Sequence, residues 1–260
     1  IQDKRIGVLM GSIHDSYATK TFKKATIFQY QNAPDMMMAL NAGKVDAAFD
    51  DDAALPEVFK AYPNFGMLVK NLFFADIAAG FNDSNDKLRE QFNAYLKEIK
   101  ANGVYDDMYS RWIEKGVSEM PLIENSEKNG ELKVGIVGDL GMPTTLLKDG
   151  QYIGFDIEIA KRFAAYVGKK FVPIDMPFGS LIASISTNKI DLITASMMIT
   201  EEREKQIDFS DPYFKSGISV FAKKEDIEDT QSGKMAKLDD IADKRIGIFS
   251  GTVHDAFVAK

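Results

Sequence analysis

The sequence predicts an α/β fold of two similarly built lobes, and three observations carry this prediction. Strand and helix patterns alternate along the 260 residues, which is typical of mainly parallel sheets covered by helices. A helix followed by Lys, Val or Ile, Asp and then a strand occurs at 44–48 and again at 189–193. Residues 1–20 return as residues 241–260 with 10 of 20 positions identical. This repeat, 240 residues apart, indicates tandem domains and not a solenoid.

In the first half of the chain, short strands alternate with helices. The strands are predicted at Arg5 to Leu9, near Thr26 to Gln29, at Lys44 to Phe49 and at 65–69. The helices are predicted after Gly11-Ser12, from Pro34 to Gly43, at 53–62, from Ser84 as cap to Gly103, and around Tyr105 to Trp112. An apolar run without a helical period, Asn71 to Phe81, is predicted to cross between the lobes.

The second half follows a polar, aperiodic stretch from Val117 to Glu131. Strands are predicted at Lys133 to Val137, Phe171 to Ile174, Ile190 to Thr194 and Gly217 to Lys223, with a turn at Asp149-Gly150. Helices are predicted at Phe155 to Val167, at Leu181 to Ser186, and from Thr200 as cap through Arg203. The charged segment from Lys224 to Asp240 is predicted to be a loop.

Composition excludes several classes of function. The net charge of −7 argues against nucleic acid or an anionic membrane surface as a partner. No apolar run approaches the roughly 18 residues of a membrane span. The chain has no cysteine and two histidines, so thiolate and histidine metal sites are not expected, and we predict no metal and no cofactor. No secretory-signal pattern leads the chain, and we expect the intact protein to extend beyond both ends.

Two motifs resemble one known family. The segment Ile199 to Phe214 contains Ile-Thr, then Arg203, then Ile-Asp-Phe-Ser-Asp-Pro-Tyr-Phe, and Gly154 to Ala164 lies upstream. Together they resemble family 3 of the bacterial extracellular solute-binding proteins, which capture amino acids. The resemblance implies a two-lobed type II periplasmic-binding (clamshell) fold. The order is circularly permuted, because the chain runs from one unit of a tandem protein into the next.

The resemblance also implies domain boundaries along the chain. They are residues 1–71 as lobe 2, 72–116 as a crossing strand and the C-terminal helices of lobe 1, 117–131 as the inter-unit linker, 132–216 as the N-terminal part of lobe 1, and 217–260 as a crossing strand and the repeated start of lobe 2. The two copies of the repeat would then compete for one position. Either one copy is loose, or the tail docks into a neighbouring chain as a domain-swapped dimer.

The candidate ligand site follows from the chemistry of an amino acid, which presents a carboxylate and an ammonium. Arg203 matches the family residue that holds the carboxylate, and a cation at a helix start opposes the dipole and so calls for a partner. Asp51 matches the acid that holds the ammonium. The remaining candidates are the backbone N–H groups near Gly11 and Ser12, the hydroxyl or backbone of Ser196, and Asp139 near the family's acidic position in lobe 1.

Some positions depart from the family pattern. Met142 precedes Pro143 in a loop where the family has an aromatic ring, and Met198 stands where a hydroxyl is expected. These methionines predict a softer and less polar pocket. His14 and His254 hold the same place in the two copies, where a neutral imidazole is expected. Contact with the ligand and a plain surface role both remain open for them.

These observations predict a non-catalytic module that closes two lobes around a small zwitterion. Its expected partners are the ligand and either the permease of an ABC importer or a membrane-anchored sensor. Its expected place is periplasmic or extracellular, membrane-associated through parts outside this chain. The first alternative is a dehydratase-like enzyme on the same scaffold, with Asp51, Asp139 or a histidine as acid or base. The second is a non-binding structural repeat with a degenerate pocket.

Overall fold

This computed structural model has a mixed α/β fold and describes residues 5–10, 15, 19, 26–231 and 246–247. The strands are β1 (Arg5–Leu9), β2 (Thr26–Tyr30), β3 (Ala47–Asp51), β4 (Phe65–Ile77), β5 (Gly80–Phe81), β6 (Glu131–Ile136), β7 (Leu146–Lys148), β8 (Gln151–Ile153), β9 (Lys170–Asp175), β10 (Leu192–Ile193), β11 (Asp208–Phe209), β12 (Phe214–Lys223) and β13 (Ile246–Gly247). The α-helices are α1 (Ala33–Asn41), α2 (Leu55–Ala61), α3 (Asp86–Ala101), α4 (Val104–Tyr109), α5 (Phe155–Tyr166), α6 (Leu181–Ser186) and α7 (Lys224–Gln231). None of these helices is both long enough and apolar enough to cross a membrane.

The chain divides into two compact units. Unit 1 comprises Ile1–Ala75 with Ser216–Lys260, and unit 2 comprises Asp76–Lys215. The chain therefore changes unit twice, within β4 and within β12. The identity of these units with the two predicted lobes stays a prediction.

Unit 1 contains a four-stranded sheet and a separate pair of strands. The sheet has the order β13-β3-β12-β4, with β13 parallel and β12 antiparallel to β3. The pair is β1 and β2, which run parallel. Strand β1 lies in the first copy of the repeat and pairs with β2. Strand β13 lies in the second copy and pairs with β3. Only the second copy thus contributes a strand to the four-stranded sheet, and the competition of the two copies for one position stays a prediction.

Helix α1 supplies much of the core of unit 1. The side chain of Asn32 caps the helix by accepting a hydrogen bond from the backbone N–H of Asp35 at 2.8 Å. The sequence analysis had placed the start at Pro34, which follows this cap inside the first turn. The side chains of Met36 and Met37 are buried in one cluster with Leu40, Leu55, Phe65 and Phe221.

Unit 2 is built on a five-stranded sheet of order β11-β5-β10-β6-β9. Strands β6, β9 and β10 are parallel, whereas β5 runs antiparallel to β10 and to β11. The predicted turn at Asp149-Gly150 joins β7 and β8 in a hairpin, and both turn residues have positive φ, as an Asp-Gly hairpin turn requires. The strand and helix order of residues 131–194 is therefore confirmed.

Glycine at position 154 allows α5 to begin against the loop before β7. Gly154 has φ of 125°, and a Cβ there would lie 2.1 Å from the backbone oxygen of Thr144. The N–H groups of Phe155 and Asp156 donate to the backbone oxygens of Pro143 and Thr144 at 2.8 and 3.2 Å. The first turn of α5 is thus fixed to the loop 141–145.

A buried ion-pair network ties α5 to the segment after α3. The carboxylate of Glu158 is completely buried. It accepts two hydrogen bonds from Arg111 at 2.7 and 3.0 Å, one from the indole N–H of Trp112 at 2.6 Å, and one from Arg162 at 2.8 Å. Arg111 and Trp112 lie on a π-helical turn, Ser110–Glu114, that extends α4. The network holds this turn against α5.

Three predicted boundaries are wrong. Ser84 does not cap α3, because its N–H and its hydroxyl both donate to the side-chain oxygen of Asn82, and Asn85 occupies the cap position. Strand β3 begins at Ala47 and includes Asp50 and Asp51. Residues 224–231 form α7 instead of a loop, with acidic residues in the first turn as a helix start favours.

Candidate functional site

Two loops meet at the carboxyl edge of the unit 2 sheet. Strands β6 and β10 are parallel neighbours, so the segments that follow them, 138–143 and 195–203, leave the sheet at the same edge. Ligands of such sheets bind beyond the carboxyl ends of strands. The first loop contains a cis peptide bond between Met142 and Pro143 and a positive φ of 95° at Gly141.

The backbone of the second loop is anchored on one side by the end of β4. The carbonyl of Met197 accepts a hydrogen bond from the N–H of Ala78 at 3.0 Å. The N–H of Ile199 donates to the carbonyl of Asp76 at 2.9 Å. Met198 lies between these two anchors and pairs with Ile77 as an antiparallel bridge. These contacts fix one side of the loop segment that carries the Met198 carbonyl.

The predicted helix from Thr200 is not formed, although its cap contact is. The hydroxyl of Thr200 accepts from the N–H of Arg203 at 3.0 Å, and the carbonyl of Thr200 accepts from Glu204 at 2.8 Å. The chain then makes further turns and enters β11 at Asp208. A helix cannot extend because Ile207 is already buried in the core of unit 2.

The side chain of Arg203 is buried, and no counter-ion lies beside it among the described residues. It is 5% exposed, and its Nη1 donates to the backbone oxygen of Met198 at 2.7 Å. Its guanidinium carbon lies 5.2 Å from the ring centroid of Phe178. No carboxylate among the described residues forms an ion pair with it, so the pairing with Glu202 that is usual for such a sequence is not formed. Burial lowers the pKa of Arg203 to about 9, against a small raising effect of nearby Glu202.

Asp156 is a buried acid at this site that the sequence analysis missed. Its carboxylate is 1% exposed and accepts from the N–H of Ser196 at 2.6 Å and from the hydroxyl of Tyr213 at 2.9 Å. Burial raises the pKa of Asp156 to about 6, although these hydrogen bonds oppose the rise. Asp156 lies inside the quoted motif Gly154 to Ala164, but an acid in a first helical turn is ordinary, and nothing local marked it as buried.

Asp175, and not Asp139, fixes the backbone of the first loop. The carboxylate of Asp175 accepts from the N–H of Gly138 at 2.8 Å and from the hydroxyl of Tyr152 at 3.0 Å. Asp139 lies exposed in the turn after β6. No signal in the sequence distinguished Asp175 from any other acid at the end of a strand.

The methionines of the site differ in how far their side chains are buried. The side chain of Met198 is completely buried, as is that of Met197, so Met198 contributes its carbonyl to the site and its side chain to the interior. Met142 is partly exposed in the first loop. Ser196 is partly exposed and has a positive φ of 47°.

In unit 1 the three consecutive acids have different environments. The side chain of Asp50 is 7% exposed, Asp51 ends β3 half-buried, and Asp52 accepts a hydrogen bond from the hydroxyl of Ser219. An interpretation of this run as three solvated acids is therefore wrong for Asp50. Burial raises the pKa of Asp50 to about 7, opposed by the N–H of Asp51. The candidates Gly11, Ser12 and His14, together with His254, lie outside the described residues.

The raised pKa of Asp50 predicts that ionisation of this carboxyl destabilises the fold. A group whose folded pKa is raised binds more protons in the folded state, so its stabilising effect is present at low pH and lost as pH rises towards 7. We expect Asp50→Asn to raise the free energy of unfolding by roughly 2–4 kcal/mol at about pH 8 and to change it little near pH 4. Calorimetric unfolding of both proteins across this range measures the effect. A constant difference between them at all pH values would contradict it.

Among the described residues, no group of three or more His, Asp or Glu side chains is arranged to hold a metal ion. At the carboxyl edge of unit 2, the guanidinium of Arg203 has donors without a hydrogen-bond acceptor among the described residues. The carboxylates of Asp156 and Asp175 there accept from backbone N–H and hydroxyl groups. The arrangement is suited to binding a carboxylate.

Comparison with known proteins gives a family and several relatives. Residues 132–245 match the family model of bacterial extracellular solute-binding proteins, family 3. The L-cystine-binding protein TcyJ of Escherichia coli is 28% identical over 55% of this chain and 52% of its own length. The arginine-binding extracellular protein ArtP of Bacillus subtilis is 36% identical over 42% of this chain and 40% of its own. The histidine-binding periplasmic protein of Escherichia coli is 33% identical over 42% and 39%. The chain thus spans about half the length, or less, of these curated relatives.

Solved structures are similar over shorter stretches. The arginine-bound form of domain 1 from TmArgBP is 36% identical, with 41% of this chain and 90% of that chain covered and a TM-score of 0.33. The ancestral amino acid-binding protein AncCDT-1, described as a precursor of cyclohexadienyl dehydratase, is 40% identical over 34% and 39%, with a TM-score of 0.32. Scores this low support no argument about arrangement.

Proposed function

Since residues 132–245 match the family model of bacterial extracellular solute-binding proteins, family 3, we propose that this chain is a binding module for a small amino-acid-like solute. The observation that carries the proposal is the buried guanidinium of Arg203, which has one hydrogen bond to a neutral carbonyl and no counter-ion among the described residues. A buried cation is expensive unless it is paired. A ligand carboxylate would supply the missing partner.

The proposed ligand is an α-amino acid. Its carboxylate would accept charge-assisted hydrogen bonds from the donors of Arg203 that Met198 leaves free. The resemblance assigns its ammonium group to Asp51 and further donors to Gly11 and Ser12. The relatives are named for binding cystine, arginine and histidine, which share only this α-amino-acid group. We therefore propose that recognition of the shared group is the constant part of the site.

The proposed setting follows the same family. The module would work outside the cytoplasm with the permease of an ABC importer or with a membrane-anchored sensor. The repeat of residues 1–20 at 241–260 supports a tandem arrangement of receptor units, of which this chain is a permuted segment. A domain-swapped dimer through the repeated segment remains part of this proposal.

We propose no enzymatic activity. A dehydratase would need an acid or base free to act on the substrate. Both carboxylate oxygens of Asp156, the buried acid of this site, are engaged by Ser196 and Tyr213. A non-binding structural repeat is the remaining alternative, and the uncompensated charge of Arg203 argues against it because a structural role favours a paired or apolar residue.

Isothermal titration calorimetry tests the proposal. The protein is unfolded, dialysed and refolded to remove co-purified ligand, and then titrated with the standard amino acids and L-cystine. We expect at least one to bind with micromolar affinity or better. The decarboxylated analogue of the best ligand, such as agmatine for arginine, should bind roughly 100-fold more weakly, which corresponds to the loss of about two charge-assisted hydrogen bonds. Failure of all amino acids to bind would overturn the proposal, and equal affinity of the analogue would overturn the role of Arg203.

A further inference from the structure

Ser196 adopts a backbone conformation that its side chain disfavours. Its φ of 47° lies in the left-handed region, where a residue with a Cβ is less stable by roughly 1–2 kcal/mol. Contacts with other residues must therefore stabilise this backbone conformation of Ser196. The residues on either side are apolar and completely buried, so local hydrogen bonding by neighbouring side chains does not explain this conformation.

Asp156 provides the contact that stabilises this conformation. Its Oδ2 accepts from the N–H of Ser196 at 2.6 Å and from the hydroxyl of Ser196 at 3.4 Å. Its Oδ1 accepts from the hydroxyl of Tyr213, so the carboxylate cannot rotate freely. A hydrogen bond from a backbone N–H to a carboxylate in a buried setting is among the stronger ones in proteins.

The hydrogen bond between Asp156 and Ser196 can influence the position of Arg203 through Ser196 and Met198. Ser196 is the point at which the chain turns from β10 towards the bridge with Ile77. The carbonyl of Met198, two residues further, receives the hydrogen bond from Nη1 of Arg203. A change of φ at Ser196 would rotate the peptide units that follow it and move this carbonyl. The guanidinium would then lose its one hydrogen-bonded support and keep only its contact with Phe178.

We propose that Asp156 is a positioning residue for ligand recognition: by holding the N–H of Ser196 it sets the Met198 carbonyl, which in turn orients Arg203. The inference rests on the proposed function, because Arg203 is taken to receive the ligand carboxylate. It adds a residue that does not touch the ligand and whose loss weakens binding without removing any ligand contact.

Two single variants test the proposal. Asp156→Ala removes both acceptors, and Tyr213→Phe removes the hydroxyl contact while leaving the contact with Ser196 intact. We expect Asp156→Ala to weaken binding of the best amino acid roughly 10- to 100-fold, as for the loss of one to two hydrogen bonds to a charged group. Tyr213→Phe should stay within about threefold. If both variants remain folded by circular dichroism and bind like the wild type, the inference is overturned.

A rescue experiment separates positioning from a general loss of stability. Gly adopts positive φ without strain, so Ser196→Gly should recover a large part of the affinity lost in Asp156→Ala. Because Ser196→Gly also removes a hydroxyl that is a candidate for contact with the ligand, the single variant Ser196→Gly gives the reference affinity for this comparison. Rescue of affinity without a matching rise in the unfolding temperature supports positioning. Recovery of the unfolding temperature without recovery of affinity contradicts it.

Hydrogen–deuterium exchange adds a measurement that needs no ligand. Asp156→Ala should increase exchange in the peptide that spans 190–203, whereas Tyr213→Phe should not. Unchanged exchange in Asp156→Ala contradicts the inference whatever the ligand is. Absence of amino-acid binding by the wild type instead overturns the proposed function, and so the two failures are distinguishable.

Discussion

Replacing Arg203 with methionine is expected to reduce amino-acid affinity by roughly 100-fold or more while leaving the unfolding temperature unchanged or raised. The substitution removes the donors proposed for the ligand carboxylate but keeps an apolar side chain in contact with Phe178. The free protein loses a buried cation that has no counter-ion in the described part of the chain, and removal of such a charge relieves a desolvation cost. Titration calorimetry and thermal unfolding on the same samples measure both effects.

The matched control for this variant is Glu202→Gln. Glu202 is the neighbouring residue, is exposed and forms no ion pair with Arg203 among the described residues, so affinity should remain within about threefold. Two results would contradict the interpretation of Arg203. One is full affinity in Arg203→Met, and the other is a large fall in its unfolding temperature, which would indicate that the guanidinium serves the fold.

Glu158→Gln is expected to destabilise unit 2 by about 3–5 kcal/mol. The buried carboxylate is shared by Arg111, Trp112 and Arg162, and the amide would leave the two mostly buried guanidinium groups without this anionic partner. The π-helical turn Ser110–Glu114 should then separate from α5. Trp112 is the one tryptophan in the sequence and donates to Glu158, so denaturant unfolding followed by its fluorescence reports on this contact.

Asp107→Asn is the matched control for the network. Asp107 pairs with the same Arg111 at 2.8 Å, but its side chain is 61% exposed, so the loss should stay below about 1 kcal/mol. A destabilisation of equal size in both variants would contradict the assignment of the buried carboxylate as the centre of the network. A Glu158→Gln protein as stable as the wild type would contradict it as well.

Much of unit 2 was predictable because its patterns are local. The strand β6, the Asp149-Gly150 turn, α5 and α6 were predicted within one or two residues, since apolar period and turn residues lie in contiguous sequence. The errors arose where a distant contact decides. The turns after Thr200 end where Asp208 and Phe209 pair with β5, and Ser84 is engaged by Asn82, whose amide donates to the distant carbonyl of Ile185.

For the candidate site too, some properties are predictable from the sequence and others depend on the folded structure. The sequence marks Arg203 as a candidate, because a cation near an acid-first turn is unusual and the motif around it resembles a family. It could not show that this guanidinium is buried with no counter-ion among the described residues, or that it contacts the Met198 carbonyl and the ring of Phe178. Those facts depend on residues that come together only when β9 and β10 take their places in the sheet.

Most of the order of strands and helices, the resemblance to a family and the residue types of the candidate site follow from the linear pattern of side chains in this protein. The protonation preferences of Asp50, Asp156 and Arg203 and the left-handed backbone of Ser196 follow from the folded arrangement. Periodicity and turn chemistry act over a few neighbouring residues. Burial and hydrogen-bond partners instead depend on side chains far apart in the chain, such as Asp156 with Ser196 and Tyr213.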